Sequence, residues 1–267
     1  SLLLWMTIMA AWCALVAWFS RGLPLSMRVR VLVILSGIQV MMLAMLIFTS
    51  SPFDRTLPSL PVDGRDLNPL LQDPGLIFHP PMLYMGYVGM AVPFAFCLAA
   101  LWAGRLDAAW TRWSRPWTVA AWWFWDPVEG ASLRPWLAST ALLHSLAVTE
   151  QRGVFKAWSI MLAIFTFGLS LLGTFLVRSG VITSVHSFAA DPTRGVVILA
   201  ILGVVIGSGL LMFATRGWRL TVESHYQLKS RETMLVVNNI IILVATIVVL
   251  LGTLYPIIAD AFHLGQV

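Results

Sequence analysis

Six long runs of nearly unbroken apolar residues dominate this chain, at 2–19, 31–48, 81–103, 157–177, 196–214 and 233–259. Each matches or approaches the roughly 20 residues needed to cross the hydrocarbon core of a bilayer. In lipid no water replaces an unmade backbone hydrogen bond, so every run is expected as a helix. A seventh run, 133–148, spans only if its flanking residues extend it. The fold class that follows is an all-α polytopic integral membrane bundle, read as one transmembrane domain over residues 1–267. Charged residues make up 11% of the chain, against roughly 25% in soluble domains. That shortfall excludes a water-facing globule, and disorder, collagen and coiled coil fall by the same composition. Cys13 and Cys97 lie inside apolar runs without paired spacing, so no disulfide framework, zinc site or Cys-x-x-Cys-His haem attachment is expected. The net charge of +5 comes without a basic cluster interleaved with aromatics, which argues against nucleic acid and for charge sorting across a bilayer. Gly203 and Gly207 form a small-xxx-small pair, expected at a helix–helix contact. Ser1 leads straight into an apolar run without a signal peptide, so further residues are expected before it.

Orientation should follow the Lys and Arg count of the short loops. Seven spans read straight through place nine basic residues on one side and eight on the other, which is no bias. One more crossing between Trp117 and Trp125 changes the result. One side then holds Arg21, Arg28, Arg30, Arg105, Arg112, Arg115, Arg152, Lys156, Arg216, Arg219, Lys229 and Arg231, twelve in all. The other holds Arg55, Arg65, Arg134, Arg178 and Arg194, five in all. The sequence therefore predicts an interruption near residues 121–123, where an unseen helix belongs. With that parity, loops 49–78, 123–132 and 178–194 share the outer face.

The densest chemical signal on that face is Trp122-Trp123-Phe124-Trp125-Asp126-Pro127-Val128-Glu129. Two readings stand: an interfacial aromatic belt, or a flat aromatic platform for a large planar cofactor. Asp126, Glu129 and a turn-forming proline favour the second. His79 precedes Pro80 and Pro81 at the mouth of the third run, and His186 follows the run at 157–177. Each alone reads as an ordinary loop histidine. Together on one face, two neutral imidazoles can take both axial positions of a haem iron while indoles cover its plane. His144 lies within the 133–148 run, near its inner end. It reads either as a histidine hydrogen-bonded to a neighbouring helix or as a ligand of a haem inside the membrane. His225 and His263 read as solvated. Arg65, Arg178 and Arg194 stand near the histidine loops, with propionate pairing and charge sorting both open. The stretch from Asp66 to Gly75 is rich in Asn, Asp, Pro and Gly and predicts a compact loop.

Trp122 to Ser132 resembles the WWD signature of haem-handling membrane proteins. Gly64 to Pro81 and Leu172 to His186 narrow the resemblance to the CcmF family, the haem lyase subunits of bacterial cytochrome c maturation, with the NrfE paralogues nearly alike. The resemblance covers essentially the whole chain. It implies that His79 and His186 hold haem against Trp122, Trp123, Trp125 and Asp126. It also implies that His144 is one ligand of a transmembrane haem b whose second ligand lies beyond Val267. No catalytic residue is assigned. The expected location is the bacterial inner membrane with the site facing the periplasm. The expected partners are apocytochrome c, a haem chaperone, the thiol-redox subunits that hold the apoprotein, and the bilayer. The family carries a glycine- and aromatic-rich stretch before the WWD signature that is absent here, at the place where the charge count asks for a helix. Gly130 and Leu133-Arg134 stand where many relatives have Asn and bulky apolar residues. Two rival functions remain: a haem transporter or chaperone that presents haem without ligating it, and a scaffold whose tryptophans form only a belt.

Overall fold

The computed structural model describes residues 2–49, 51–53, 72–105, 107–125, 130–178, 192–220 and 229–261. Among them every extended element is a helix: α1 Leu2–Phe19, α2 Leu25–Thr49, α3 Pro74–Gly89, α4 Ala91–Ala103, α5 Ala109–Trp123, α6 Gly130–Arg152, α7 Lys156–Arg178, α8 Pro192–Arg216 and α9 Arg231–Ala261. Six stretches are long and apolar enough to cross a membrane, and they coincide with the six runs read from the sequence. The all-α membrane bundle is therefore the fold. The expected third span is built from α3 and α4, which meet at Met90 with helical backbone and cross as a single unit, Ile77–Ala103. This unit is the axis of the bundle, since residues 86–101 are buried throughout.

Side-chain contacts fix which helix ends lie together. Arg30 sits over the Trp102 ring at 5.9 Å, and Arg216 donates to the Leu101 carbonyl at 2.9 Å, so the start of α2 and the ends of α4 and α8 share one end. Arg115 on α5 reaches Glu150 on α6 at 2.6 Å, and Arg152 reaches Glu232 on α9 at 3.5 Å. At the opposite side of the molecule Trp125 packs on Gly86. All twelve residues of the predicted basic group consequently lie in the same half of the bundle, and the sorting expected of a spanning protein is present.

The crossing that restores this parity is made by α5, so no unseen helix is needed to explain the charge pattern. The sequence signal for α5 is its buried face, Trp110, Thr111, Ser114, Thr118 and Ala121, which recurs at helical spacing. Arg112, Arg115 and Pro116 break its apolar run, which hides it from a hydropathy reading. With 15 residues it rises about 22 Å, short of the ~30 Å hydrocarbon core. The marginal 133–148 run forms α6, extended at both ends to 23 residues and packed against α5, α7 and α9.

Two smaller expectations meet different fates. Cys13 and Cys97 are free thiols, as expected. The Gly203–Gly207 pair does not form a helix contact: a Cβ at either position would meet nothing within 4 Å. The glycines that bring helices together are others. A Cβ at Gly209 would touch Phe94 and Ile164, and one at Gly168 would touch Ile206. Spacing alone specifies two small residues on a shared face, not which neighbour that face meets. At the basic end Gly104 closes α4 with φ +66°, and its N–H and that of Arg105 bond back to Leu101 and Ala100 carbonyls. That left-handed cap is why a glycine stands there.

Candidate functional site

The end opposite the basic half is assembled from α3, α5, α6 and α7. Asp73 caps α3, its carboxylate accepting the Gly75 N–H at 2.7 Å, and Pro74 opens the first turn. His79 lies one and a half turns inside the helix, half-buried, just before Pro80 and Pro81. Neither proline has an N–H, so the carbonyls of Leu76 and Ile77 lose their helical donors beside it. The histidine thus stands on a helix end where the two prolines interrupt the regular backbone ladder.

Gly86 marks where α5 meets α3. A Cβ there would fall 2.9 Å from the Trp125 Cα and 2.9 Å from its Cε3. One turn further, a Cβ on Gly89 would lie 2.6 Å from the Ala121 Cβ. The absence of side chains at these two positions lets α5 press against α3. His79 is seven residues beyond Gly86, which at 1.5 Å each puts it about 10 Å further along the bundle than Trp125.

The three tryptophans of the signature have three different surroundings. Trp125 is 5% exposed; its ring stacks on Tyr87 with centroids 4.6 Å apart, and its Nε1 donates to the Ser132 carbonyl at 2.9 Å. Trp122 is half-buried, stacked on Trp136 at 5.5 Å, with its Nε1 donating to Thr140 Oγ1 at 2.9 Å. Trp123 is 75% exposed at the end of α5. The platform expected of all three is therefore divided: two indoles anchor the segment to α3 and α6, and one is presented outward. Tyr87 and Trp136, which make those anchors, carry no motif in the sequence. Only their fit to the tryptophans identifies them.

Arg134, assigned by sequence to the outer side, is 1% exposed, one turn into α6. His186, Asp126 and Glu129 lie outside the described residues, as do Arg65, His225 and His263. The side chains of Arg178 and Arg194 are likewise outside the description.

His144 is placed differently. It lies eight residues from Arg152, about 12 Å in from the basic end of α6, and it is half-buried. Its Nδ1 is 3.0 Å from the Asn238 Nδ2 on α9, and the next residues pair as well, Asn239 Nδ2 donating to Ser145 Oγ at 2.9 Å. An asparagine can serve the ring from either end of its amide. Its NH2 donates to a bare Nδ1, or its carbonyl, with the amide turned, accepts from Nδ1–H. Only the second leaves the Nε2 lone pair for a metal. Among the described residues no second histidine stands opposite His144. The Asn238-Asn239 doublet was readable in the sequence as two strong polar groups inside an apolar run, but only the structure shows which histidine it serves.

Fold and site together define a polytopic membrane protein whose Trp-rich segment is clamped between helices at the end remote from its basic residues. The family model for the cytochrome C assembly protein matches residues 1–122 and 117–183. The chain belongs to that family. It is 53% identical over 290 residues to the cytochrome c-type biogenesis protein CcmF of Escherichia coli, covering all of this chain and 45% of that protein. It is 57% identical to CcmF of Pseudomonas aeruginosa, with 98% and 43% of the two chains covered. The probable cytochrome c-type biogenesis protein NrfE of E. coli is 42% identical, with 100% and 52% covered. A solved structure of the cytochrome c haem lyase CcmF superposes with a TM-score of 0.75 at 28% identity, over 97% of this chain and 41% of that one. The chain thus spans about half the length of the relatives it matches.

The match to the family model breaks inside α5: the first segment ends at residue 122 and the second restarts at 117. The alignment with the E. coli protein extends over 290 positions against 267 residues here, so 23 positions have no counterpart. This break lies beside residues 121–123, where the sequence predicts an interruption, but the crossing ascribed there to an unseen helix is made by α5 itself.

Proposed function

We propose that the chain forms the haem-presenting part of a cytochrome c haem lyase subunit in the bacterial inner membrane. The basic half faces the cytoplasm and the end carrying His79 and Trp123 faces the periplasm. Haem is the substrate. His79 and His186 would supply the two imidazoles for its iron, Trp123 would cover the porphyrin, and Asp126 is assigned to the same site. Trp122 and Trp125 hold the segment in place. Two cysteine thiols of an apocytochrome add across the two vinyl groups, each forming a C–S bond while its hydrogen passes to the neighbouring vinyl carbon. Addition of this kind needs no net oxidant, so the protein's share is orientation and exclusion of competing geometries. No side chain need act as an obligatory base.

His144 would be one of the residues holding a resident haem b, since it is half-buried between two helices with Nδ1 already engaged. Such a haem, when bound, supplies one-electron transfer. Asn238, with its carbonyl accepting from Nδ1–H, would hold the imidazole in the tautomer that leaves the Nε2 lone pair free for that group. The partners are apocytochrome c, a haem chaperone and thiol-redox subunits that keep the apocytochrome reduced.

The observation that carries the reading is the likeness, over 97% of this chain, to a solved haem lyase, combined with a histidine and an outward indole on the face opposite the basic half. The test is co-expression of His79→Ala and Trp123→Ala variants with an apocytochrome and the other maturation proteins. Loss of haem-stained cytochrome, with loss of Soret absorbance from the purified variants, is expected. Retained Soret absorbance with no wild-type thioether formation would favour the carrier. Full maturation by both variants would overturn the site.

A further inference from the structure

A groove of about 420 Å³ runs between α2 and α8 over the surface of α4. Its walls are apolar: Ile34, Ile38 and Met41 face Val204, Val205 and Met212 across Phe94 and Leu98. Ser208, the one polar residue along its length, spends its hydroxyl on the Val205 carbonyl at 2.8 Å. Gly37 leaves one wall open, since a Cβ there would meet nothing within 4 Å. The groove starts at Arg216 and ends near Val204, twelve residues along α8, or about 18 Å. Half of a ~30 Å hydrocarbon core is about 15 Å. The groove therefore has the depth of one leaflet, which suits an acyl chain and is too short for a crossing helix.

Its mouth lies in the basic half and is cationic. Trp102, 45% exposed, sits at the rim with the Arg30 guanidinium 5.9 Å from its ring centroid. Arg216 uses Nη1 on the Leu101 and Trp102 carbonyls, which close the end of α4, and a guanidinium has further N–H groups to offer. Arg219 follows on the next turn, its Nη1 3.7 Å from where a Gly104 Cβ would be. The acids of this end that form described ion pairs are engaged elsewhere, Glu150 with Arg115 and Glu232 with Arg152. Among the described residues no carboxylate lies within ion-pair distance of Arg30, Arg216 or Arg219.

An apolar channel one leaflet deep, opening under three unneutralised arginines and an interfacial tryptophan, matches one occupant. We propose that this groove is a binding site for an anionic phospholipid of the basic-side leaflet. One acyl chain lies between α2 and α8, and the phosphate rests on Arg30, Arg216 and Arg219. Basic pockets between transmembrane helices on this side are suited to such headgroups. The site is remote from His79 and the Trp segment, and it does not rest on the proposed lyase activity.

The test is native mass spectrometry of the protein released from mixed micelles holding equal phosphatidylglycerol and phosphatidylcholine. Retention of phosphatidylglycerol over phosphatidylcholine is expected. Arg30→Gln with Arg219→Gln should reduce that retention about 25-fold, at about fivefold per arginine, the equivalent of ~1 kcal/mol each. This pair spares the Arg216 cap of α4, so its folding is secure. Gly37→Phe keeps all three arginines and fills the groove, and it should abolish retention. Equal retention of both lipids, or full phosphatidylglycerol retention in either variant, would overturn the proposal. So would efficient disulfide cross-linking of two copies through Gly37→Cys in a Cys13→Ser background, which would assign the groove to a second copy.

Discussion

Replacing Gly86 by alanine tests the contact that sets the position of the Trp segment. The added Cβ would lie 2.9 Å from the Trp125 Cα, 2.9 Å from Cε3 and 3.0 Å from Cβ. A ring can rotate away from a methyl group, but a backbone Cα cannot. The Trp125 segment is also pinned twice, by the Tyr87 stack and by the Nε1 bond to Ser132, so a shift disturbs at least one of them. Overpacking of this kind costs about 1–3 kcal/mol. Alanine in a helix interior returns about 0.5–1 kcal/mol relative to glycine. The net is a destabilisation of up to about 2.5 kcal/mol, and at about 2–4 °C per kcal/mol the melting temperature in detergent should fall by several degrees. Gly37→Ala and Gly252→Ala are matched controls: both sit inside helices with nothing within 4 Å, so they gain the propensity term without the clash and should hold or raise the melting temperature. Trp125→Ala combined with Gly86→Ala should not rescue, because the Cα and Cβ contacts persist. A Gly86→Ala protein as stable as Gly37→Ala would refute the close approach of α3 and α5.

Trp125→Ala should cost about 3–5 kcal/mol, the range for truncating a large aromatic in a packed core, and should be read by thermal melting. Trp123→Ala, at a position 75% exposed, should stay within about 0.5 kcal/mol of the parent while still impairing haem retention, which separates anchor from contact. A double-mutant cycle of His144→Ala and Asn238→Ala should show a coupling of about 0.6 kcal/mol, with ~1.7 as a ceiling for polar pairs between spans; zero coupling would mean that the 3.0 Å contact carries no energy. Glu150→Gln should cost at most about 1 kcal/mol, decreasing with added salt, because its partner Arg115 is 40% exposed.

Much of the architecture was legible because lipid allows few solutions. Six apolar runs became six spans, and the basic residues sorted to one half once the parity was right. What was misread was α5. Hydropathy averages over a window, and Arg112, Arg115 and Pro116 lower that average, although the buried positions 110, 111, 114, 118 and 121 keep helical period. His79 and the exposed Trp123 lie at the end opposite the basic residues, the side on which the charge count puts them, whereas the burial of Trp125 could not be read from composition. It depends on Gly86 and Tyr87, some forty residues away, and on how far α5 reaches. The open Gly203–Gly207 face failed for a related reason, since a motif names a surface and not its neighbour.

The length of α5 therefore controls more than topology. Because α5 already carries the chain from the basic half to the other end, residues that a relative carried at the break could not add one whole crossing there. An odd crossing would return α6, α7, α8 and α9 to inverted orientations and move Arg152, Lys156, Arg216, Arg219, Lys229 and Arg231 to the wrong side. Parity allows the additional positions only to lengthen the crossing itself, to extend the loop before the Trp segment, or to do both. At about 22 Å, α5 needs about five more residues to traverse a ~30 Å core, and any further residues at the break would lie in that loop. A longer α5 would carry Trp122, Trp123 and Trp125 outward, toward the level of His79. Here the short helix holds Trp125 about 10 Å deeper, against Gly86, and leaves Trp123 as the indole at its tip. Inserting five helix-forming residues after Ala120 should accordingly expose Trp125. Enhanced quenching of tryptophan emission by a water-soluble quencher would show it, and unchanged quenching would mean that the depth of the segment is set by the α3 contact and not by the reach of α5.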